Sequence, residues 1–449
     1  MNAPSLGWFG IFRLGLVQAA IGSIVVLTTS TMNRIMVVEL ALPAVIPGAL
    51  VGLHYAVQFL RPVWGHGSDI AKRRTPWIVG GVLTLAVGAT VASASIVVMA
   101  DQMLLGLAVA VLAFVMIGFG VGAAGTSLLA LLAARAEESK RAGAATVVWL
   151  MMIAGIAITA ITVGKVLDPY SPLRLVAVTA IVGLCALLLT CVALVTLESK
   201  TSAVEARYEA PSSRFSGFRG AVAEVWNDET ARRFTIFVFV SMLAYSAQDL
   251  ILEPFSGIIF GFTPGQSTEL SGVQHGGVFA GMLLVGFIGS SRIRAGGLGA
   301  WSILGCLASS IALLGLAVAA IVGPPWPLSV NVFALGFSNG AFAVAAIGSM
   351  MALAKSGRSK SEGVRMGVWG AAQAVAFGLG GFMGTVAVDV VRALSGSTVA
   401  SYAVAFSLES TLFLASAVLA RRLMKEKKKH LEERWLSMGP LAGVQVNKG

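Results

Sequence analysis

Charged side chains are scarce in this chain: they make up 12% of its 449 residues, while 57% are hydrophobic. A soluble domain normally carries about 25% charged residues, so the composition excludes an ordinary soluble globular protein. Apolar runs of roughly 18 residues or more recur along the chain, and each is long enough to cross a bilayer as a helix. The sequence therefore predicts an all-α, polytopic membrane protein whose first partner is the lipid bilayer.

Cysteine is also rare, and the residues typical of an enzyme site are missing. Cys185, Cys191 and Cys306 all fall inside apolar runs, and their spacing suits neither a disulfide framework nor a thiolate metal site. The chain has no phosphate-binding glycine loop between a strand and a helix, and no nucleophile elbow. We therefore expect no catalytic residues, no resident metal ion and no enzyme activity.

Twelve apolar runs are predicted as transmembrane helices. They cover residues 12–41, 45–63, 76–99, 103–133, 144–166, 174–197, 234–256, 267–290, 298–322, 328–354, 366–390 and 402–420. The longest polar stretch separates the first six runs from the last six. The predicted organisation is an N-terminal six-helix bundle in residues 1–197, a cytoplasmic linker in 198–233, a C-terminal six-helix bundle in 234–424 and a basic cytoplasmic tail in 425–449.

Basic residues mark one side of the membrane. All but four of the 32 Lys and Arg residues lie in the N-terminus, in the loops after even-numbered spans, or in the C-terminal tail. The exceptions are Arg34, Lys165, Arg174 and Arg392. The positive-inside rule then places both termini in the cytoplasm. The net charge of +11 is therefore a topology signal, and its spread over many short loops argues against nucleic-acid binding.

The two halves of the chain resemble each other. GFGVGAAG at residues 118–125 matches GFSNGAFA at 336–343, and His54 and His275 each lie the same distance before an arginine that follows the second span of their half. This pattern predicts two parallel repeats of six helices related by an axis along the membrane normal. Binding sites in such folds lie near the interface between the repeats.

Ionisable residues inside membrane spans are costly and usually functional. The first span carries Arg34 and Glu39, and the seventh carries Asp249 and Glu253 at corresponding positions of the repeat. We predict that these four residues and Gln248 contribute to a central site. We also predict an ion pair between Arg34 and Asp249, because pairing offsets most of the cost of a buried charge. The alternative is that each charge reaches the membrane interface by itself.

His54 and His275 are candidate ligands for a metal centre. Neutral imidazole is a good ligand, and the glycines of SGVQHGG beside His275 leave room for a broad, flat molecule. A hydrogen bond to a neighbouring helix and a proton relay are the alternatives. Gln373 lies in the glycine-rich run GVWGAAQAVAFGLGGFMG. Tight helix packing is the default interpretation of that run, and contact with a flat ligand is the alternative.

The loop after the second span, GHGSDIAKRR at residues 65–74, resembles a loop of the major facilitator superfamily. Its matching residues are Gly65, Asp69, Arg73 and Arg74. Ile70 and Lys72 depart from the pattern. The resemblance implies a cytoplasmic gate, in which Asp69 pairs with a basic group on a neighbouring helix end. The alternative is a tight basic turn that only sets the topology.

Longer motifs resemble the bacteriochlorophyll-delivery (PucC/LhaA-type) branch of that superfamily. They are FRLGLVQAAIG and TSTMNRIMVVELALP in span 1, AQDLILEPFSG in span 7, MMALA in span 10 and GVWGAAQAVAFGLGG in span 11. The resemblance implies a major facilitator fold with two six-helix repeats in the inner or intracytoplasmic membrane of a phototrophic bacterium. Span 4 departs from this branch, with Gly122, Gly125 and Ala134 where a His, a Gln and an Asp are expected.

The same resemblance implies a role in pigment handling. Bacteriochlorophyll is then the expected cargo, not a fixed cofactor, with His275 or His54 as the ligand of its magnesium. Light-harvesting polypeptides or pigment-synthesis enzymes are the expected partners. Two other functions stay open: a proton-coupled carrier of a small organic solute, with Asp249 or Glu253 as its titrating group, and an assembly scaffold that binds only other membrane proteins.

Overall fold

In a computed structural model the described part of the chain is helical and contains no β-strand. The structure describes residues 6–60, 73–137, 140–198, 223, 226–290, 297–355 and 362–437. Within these ranges, each of the twelve predicted spans corresponds to a helical unit. Eleven units are long and apolar enough to span a membrane, and the second is a shorter apolar helix. The chain is therefore a multi-pass membrane protein.

The first six units are α1 (Trp8–Val38), α2 (Val45–Leu60), α3 (Thr75–Asp101), α4 (Met103–Arg135), α5 (Arg141–Leu167) and α6 (Pro172–Leu194). The seventh, α7, comprises Glu229–Ala247, Gln248–Leu250 and Leu252–Phe260. The last five are α8 (Pro264–Ser290), α9 (Leu298–Val322), α10 (Leu328–Lys355), α11 (Glu362–Ser395) and α12 (Thr398–Ser437).

Each half of the chain has its own apolar core. In the N-terminal half the core includes Phe114 and Leu85, which are fully buried among aliphatic side chains. In the C-terminal half it is richer in aromatic rings, and Phe342 makes edge-on contacts with Phe237 and Phe413 at centroid distances of 6.2 Å. The predicted linker lies mostly outside the described residues, so the domain boundaries stay a prediction.

Helices α1 and α7 meet where both lose regular α-helical bonding. A π-helical turn interrupts α1 at Leu27–Thr31, and a 3-10 turn interrupts α7 at Gln248–Leu250. The side-chain amide of Asn33 donates to the Leu250 carbonyl oxygen at 2.6 Å. Such irregular turns free backbone groups and often mark functional regions. The repeat-related first and seventh helices thus face each other at the centre of the fold.

The glycine motif shared by the two halves packs corresponding helix pairs closely. In the C-terminal half, a Cβ added to Gly336 of α10 would collide with the carbonyl oxygen of Gln274 in α8. In the N-terminal half, a Cβ added to Gly118 of α4 would lie 2.7 Å from the carbonyl oxygen of His54 in α2. Small residues at these positions let the backbones approach. The sequence match therefore has a packing cause in each half.

Adjacent glycines in α8 provide a test of this packing. A Cβ at Gly277 would collide with the Phe333 carbonyl oxygen of α10, whereas a Cβ at Gly276 meets nothing within 4 Å. We expect Gly277→Ala to destabilise the protein by about 1–3 kcal/mol, the usual cost of overpacking. Gly276→Ala should leave the melting temperature in detergent nearly unchanged. Thermal unfolding of both variants tests this prediction. Equal shifts of the two melting temperatures would contradict the close contact between α8 and α10.

Candidate functional site

A cavity lies between the two halves, where α1, α2 and α5 face α7, α8 and α11. The space between its walls, counted together with the volume that is open to the surroundings, is about 500 Å³. Much of its wall is aliphatic or aromatic, with Val25, Val51 and Phe377 among the residues that form it. The polar side chains in the wall are Thr29, Ser30, Tyr55, Ser246, Asp249 and His275.

His275 of α8 lines this cavity, and a hydrogen bond to the helix backbone fixes its ring. Its Nδ1 lies 2.9 Å from the carbonyl oxygen of Ser271, one turn earlier. A carbonyl oxygen only accepts, so Nδ1 carries the proton in this bond and Nε2 keeps its lone pair. Among the described residues no hydrogen bond to Nε2 occurs. In its neutral form the side chain therefore presents one fixed donor nitrogen and one nitrogen suited to a ligand.

Asp249 reaches the same cavity from the irregular turn of α7. The side chain of Gln274, the residue before His275, lies near its carboxyl group. Glu409 of α12 lies close enough for its carboxyl group and that of Asp249 to interact electrostatically. Both oxygens of Glu409 are buried without a hydrogen bond among the described residues. Asp249 is thus the acidic group in the wall of the cavity, and Glu409 is a second buried acid outside the wall.

The predicted ion pair between Arg34 and Asp249 is wrong. The Arg34 guanidinium, 2% exposed, pairs with Glu39 of its own chain segment and donates from Nη2 to the Phe262 carbonyl oxygen at 2.7 Å. Gly257 leaves space for it, since a Cβ there would lie 3.0 Å from Nη2. The physical reason is that the two side chains point in different directions. The Arg34 side chain extends towards the end of α1, whereas the Asp249 side chain faces the cavity.

Further polar contacts join the two halves at the end of the fold that holds Arg34. The Thr263 hydroxyl donates to Asp168 Oδ2 at 2.7 Å. Asp389 of α11 accepts from the backbone N–H groups of Ala44 and Val45, at 3.1 and 2.7 Å, and so caps the start of α2. We call this region, defined by Arg34, Glu39, Asp168, Phe262, Thr263 and Asp389, the closed end.

Glu253 and Gln248 are buried next to the cavity but are not part of its wall. Glu253 is 1% exposed, and neither of its carboxylate oxygens has a hydrogen bond among the described residues. The charge of Arg34 acts on it electrostatically. Neither amide atom of Gln248 has a partner in the described part of the chain. Both residues therefore lie near the predicted site, and their contact with a ligand stays a prediction.

The structure places the two repeat-related histidines in different environments. His54 is 1% exposed and lies outside the cavity wall; its Nε2 is 2.8 Å from the Gln58 side-chain nitrogen, and its ring centroid is 4.6 Å from that of Tyr55. Gln373 is half-buried in α11 and is also outside the wall. Of the two histidines, only His275 lines the described cavity, while the predicted roles of His54 and Gln373 stay predictions.

The predicted gate is described only in part, because Gly65 and Asp69 lie outside the described residues. Arg73 is exposed. The Arg74 backbone N–H donates to Glu198 Oε1 at 2.8 Å, and its Nη1 donates to the Ala130 carbonyl oxygen at 2.9 Å. Ala130 belongs to the N-terminal half, and Glu198 is the first residue of the predicted linker. The gate therefore stays a prediction.

Solved structures with the same arrangement of helices are transporters. A bacterial homolog of the human lysosomal transporter Spinster superposes with a TM-score of 0.67 at 13% identity, covering 92% of this chain and 96% of that one. The nucleoside transporter NupG superposes with a TM-score of 0.64 at 13% identity, covering 93% and 99%. At these identities the likeness concerns the fold alone. The protein has a major facilitator fold, as the resemblance of its motifs implied.

Sequence relatives narrow this class to a family. The sequence model described as PUCC protein matches residues 31–428, so the chain belongs to the PucC family. The chain is 51% identical over 416 residues to the "Bacteriochlorophyll synthase 44.5 kDa chain" of Rhodobacter capsulatus, covering 93% of this chain and 95% of the relative. It is 30% identical over 445 residues to "Protein PucC" of Cereibacter sphaeroides, covering 92% and 94%. The family predicted from the motifs is confirmed.

Proposed function

We propose that this protein binds bacteriochlorophyll in the central cavity and delivers or shelters it during the assembly of light-harvesting complexes. The observation that carries the proposal is the state of His275. Its Nδ1–H is committed to the Ser271 carbonyl oxygen, so Nε2 is the nitrogen that ligates the magnesium of a pigment in the cavity. The name of the 51% identical relative, which contains the word bacteriochlorophyll, supports the choice of pigment.

The rest of the cavity suits a broad apolar ring. Phe377 lines the cavity and lies between Tyr55 and Tyr245. Its ring centroid is 6.2 Å from that of Tyr55 and 5.7 Å from that of Tyr245. Offset and tilted aromatic arrangements of this kind favour contact with a further π-system. Gly378 and Gly381 line the same side of the cavity, where Tyr55 and Leu250 pack close to the backbone of α11.

The proposal includes a place for the protein in the cell. We place it in the inner or intracytoplasmic membrane with both termini in the cytoplasm, because its basic loops lie on one side of the bilayer. Light-harvesting polypeptides or pigment-synthesis enzymes are the proposed partners. In this account the protein binds and hands over pigment without catalysing its chemistry, and the acidic residues of α7 shape the site electrostatically.

Binding to the magnesium can be tested with two pigments that differ in the metal. The purified full-length protein in mild detergent is titrated with bacteriochlorophyll and with bacteriopheophytin, the magnesium-free form of the same molecule. We expect bacteriochlorophyll to bind at least about tenfold more tightly, a difference of about 1.4 kcal/mol. Equal affinity for the two pigments would refute ligation by His275.

A proton-coupled carrier is the second candidate function, and one observation favours it. Asp249 lines the cavity and acts electrostatically on the buried acid Glu409 outside its wall, and acidic residues within membrane spans take up and release protons in transporters. This candidate predicts a colourless protein when it is purified from a pigmented host. It also predicts solute uptake that stops when the proton gradient is removed.

A further inference from the structure

Beside the cavity, α1, α7 and α8 meet around the buried carboxyl group of Glu253. We propose that a monovalent cation such as Na⁺ binds there, in a second site that joins the two halves of the protein. The proposed ligands are all oxygen atoms: a carboxylate oxygen of Glu253, the side-chain carbonyl oxygen of Asn33, and the hydroxyl oxygens of Ser30, Thr31, Thr268 and Ser271. This inference goes beyond pigment binding and does not depend on it.

Two buried side chains at this junction have oxygen atoms without a partner. Glu253 is 1% exposed, and neither of its carboxylate oxygens has a hydrogen bond within the described ranges. Asn33 is also buried; its Nδ2 donates to the Leu250 carbonyl oxygen at 2.6 Å, and its Oδ1 has no partner in the same ranges. Because Leu250 precedes Glu253 by three residues, both side chains lie at the same turn of α7. Buried oxygen atoms normally have a partner, and a cation would satisfy these.

Hydroxyl groups of α1 and α8 supply further oxygen atoms. The Ser271 side chain of α8 lies near the carboxyl group of Glu253, and its hydroxyl oxygen is 3.5 Å from that of Ser30. The hydroxyl oxygens of Thr31 and Thr268 are 3.1 Å apart. Ser30 and Thr31 belong to the π-helical turn that interrupts α1. Each hydroxyl oxygen has lone pairs for a cation, and interrupted membrane helices form the sites that coordinate Na⁺ in several transporter folds.

The charges around Glu253 favour a cation with a single positive charge. Arg34 acts on Glu253 electrostatically, but its guanidinium pairs with Glu39 and donates to the Phe262 carbonyl oxygen. These side chains comprise one positive and two negative groups, so one negative charge remains. A monovalent cation would neutralise it, whereas a divalent ion would leave an excess charge inside the membrane, where charge is costly. Oxygen ligands are also the ones that hard cations prefer.

The position of the site predicts what the bound cation does. Ser30, Thr31 and Asn33 belong to the N-terminal half, whereas Glu253, Thr268 and Ser271 belong to the C-terminal half. A cation shared by these oxygen atoms would hold the two halves together next to the closed end. Binding should therefore stabilise the folded protein.

The test is thermal unfolding of the purified full-length protein in mild detergent, without pigment, in NaCl or in choline chloride at equal concentrations. We expect the melting temperature to rise with NaCl and to level off at saturation, as it does for a ligand that binds only the folded state. Choline is too large for the site and should have no such effect. Glu253→Gln should fold, because it keeps the shape of the side chain and removes a buried charge, and it should abolish the response to Na⁺.

Ser271→Ala is the second variant. It removes a hydroxyl ligand but keeps the carbonyl oxygen that binds His275, so affinity for Na⁺ should fall several-fold while bacteriochlorophyll binding is retained. Glu229→Gln is the matched control, since Glu229 is an exposed acid of α7 paired with Arg233, and it should respond to Na⁺ as the wild type does.

Equal melting temperatures of the wild type in the two salts would overturn the inference, and so would a response to Na⁺ that persists in Glu253→Gln. Stabilisation that appears only at lowered pH, and equally in both salts, would overturn it too, because a proton would then occupy Glu253. These outcomes leave the proposed function standing, since they are measured without pigment. A response to Na⁺ in a protein that binds no pigment would support the cation site and refute the proposed function alone.

Discussion

His275→Leu is expected to abolish most of the pigment absorbance that copurifies with the protein from a pigmented host. Leucine fills a similar space but offers no lone pair, so the magnesium of the pigment loses its protein ligand. We expect affinity for bacteriochlorophyll to fall at least about tenfold, or about 1.4 kcal/mol. Affinity for magnesium-free bacteriopheophytin should change little, because that pigment does not use the imidazole.

The chain provides a matched control for this variant. His54 occupies the corresponding position of the other repeat, but it bonds Gln58 and lies outside the cavity wall. His54→Leu should therefore retain the wild-type preference for the magnesium pigment. His275→Gly supplies a second measurement, since added imidazole should restore binding in the space that the missing side chain leaves. Full pigment binding by His275→Leu would contradict the assignment of the ligand.

Arg34→Met is expected to cause the largest loss of stability. Removal of one partner of a fully buried ion pair typically costs about 3–5 kcal/mol. We expect a smaller loss here, because Arg34 is buried but the Glu39 side chain is 38% exposed. Here the substitution also removes the hydrogen bond to the Phe262 carbonyl oxygen and the charge that acts on Glu253. Thermal unfolding in detergent should show a clearly lowered melting temperature, even though methionine preserves much of the apolar packing of the arginine stem.

Arg233→Met is the control for this experiment, because the Arg233–Glu229 pair is exposed and exposed pairs contribute about 0–1 kcal/mol. Adding Glu39→Gln to Arg34→Met should recover little of the lost stability, since the Glu39 carboxylate is already exposed. An exchange of Arg34 and Asp249 should restore nothing, because the two side chains are not partners. A melting temperature for Arg34→Met equal to that of Arg233→Met would contradict the role of the buried pair.

The fold was predictable from the sequence because a bilayer restricts the possibilities. Apolar runs long enough to span it must become helices, since backbone polar groups have no other partners there. The match between residues 118–125 and 336–343 then revealed the two repeats. Each glycine motif brings the fourth helix of its half against the second. Helix number, repeat organisation and family therefore follow from local features of the chain.

The site was predictable only in part, because sequence position does not give side-chain direction. Repeat symmetry made His54 and His275 equivalent, yet His275 lines the cavity and His54 packs beside Gln58. The same symmetry suggested the wrong partner for Arg34. Its actual partner, Glu39, lies five residues later, beyond the last regular turn of α1, a spacing that helix periodicity does not favour.

Glu409 was not predicted, although the signal was present. It is an ionisable residue inside the twelfth span, and that was the criterion that selected Asp249. Its importance comes from proximity to Asp249 across two helices that are far apart in sequence. A contact of this kind requires the packing of α7 against α12, which no motif in the sequence specifies.

The hydrogen bond between His275 and Ser271 makes two properties of the proposed site independent: how a metal is held and which pigment fits. Many binding sites couple these two properties. The proton on the imidazole is fixed by a main-chain oxygen of α8, so any residue at position 271 that keeps the helix intact supplies the same acceptor. Changes to neighbouring side chains can then retune which pigment fits without altering how its metal is held. In the proposed site, ligation would depend on the backbone of one helix, and selectivity would depend on the surrounding side chains.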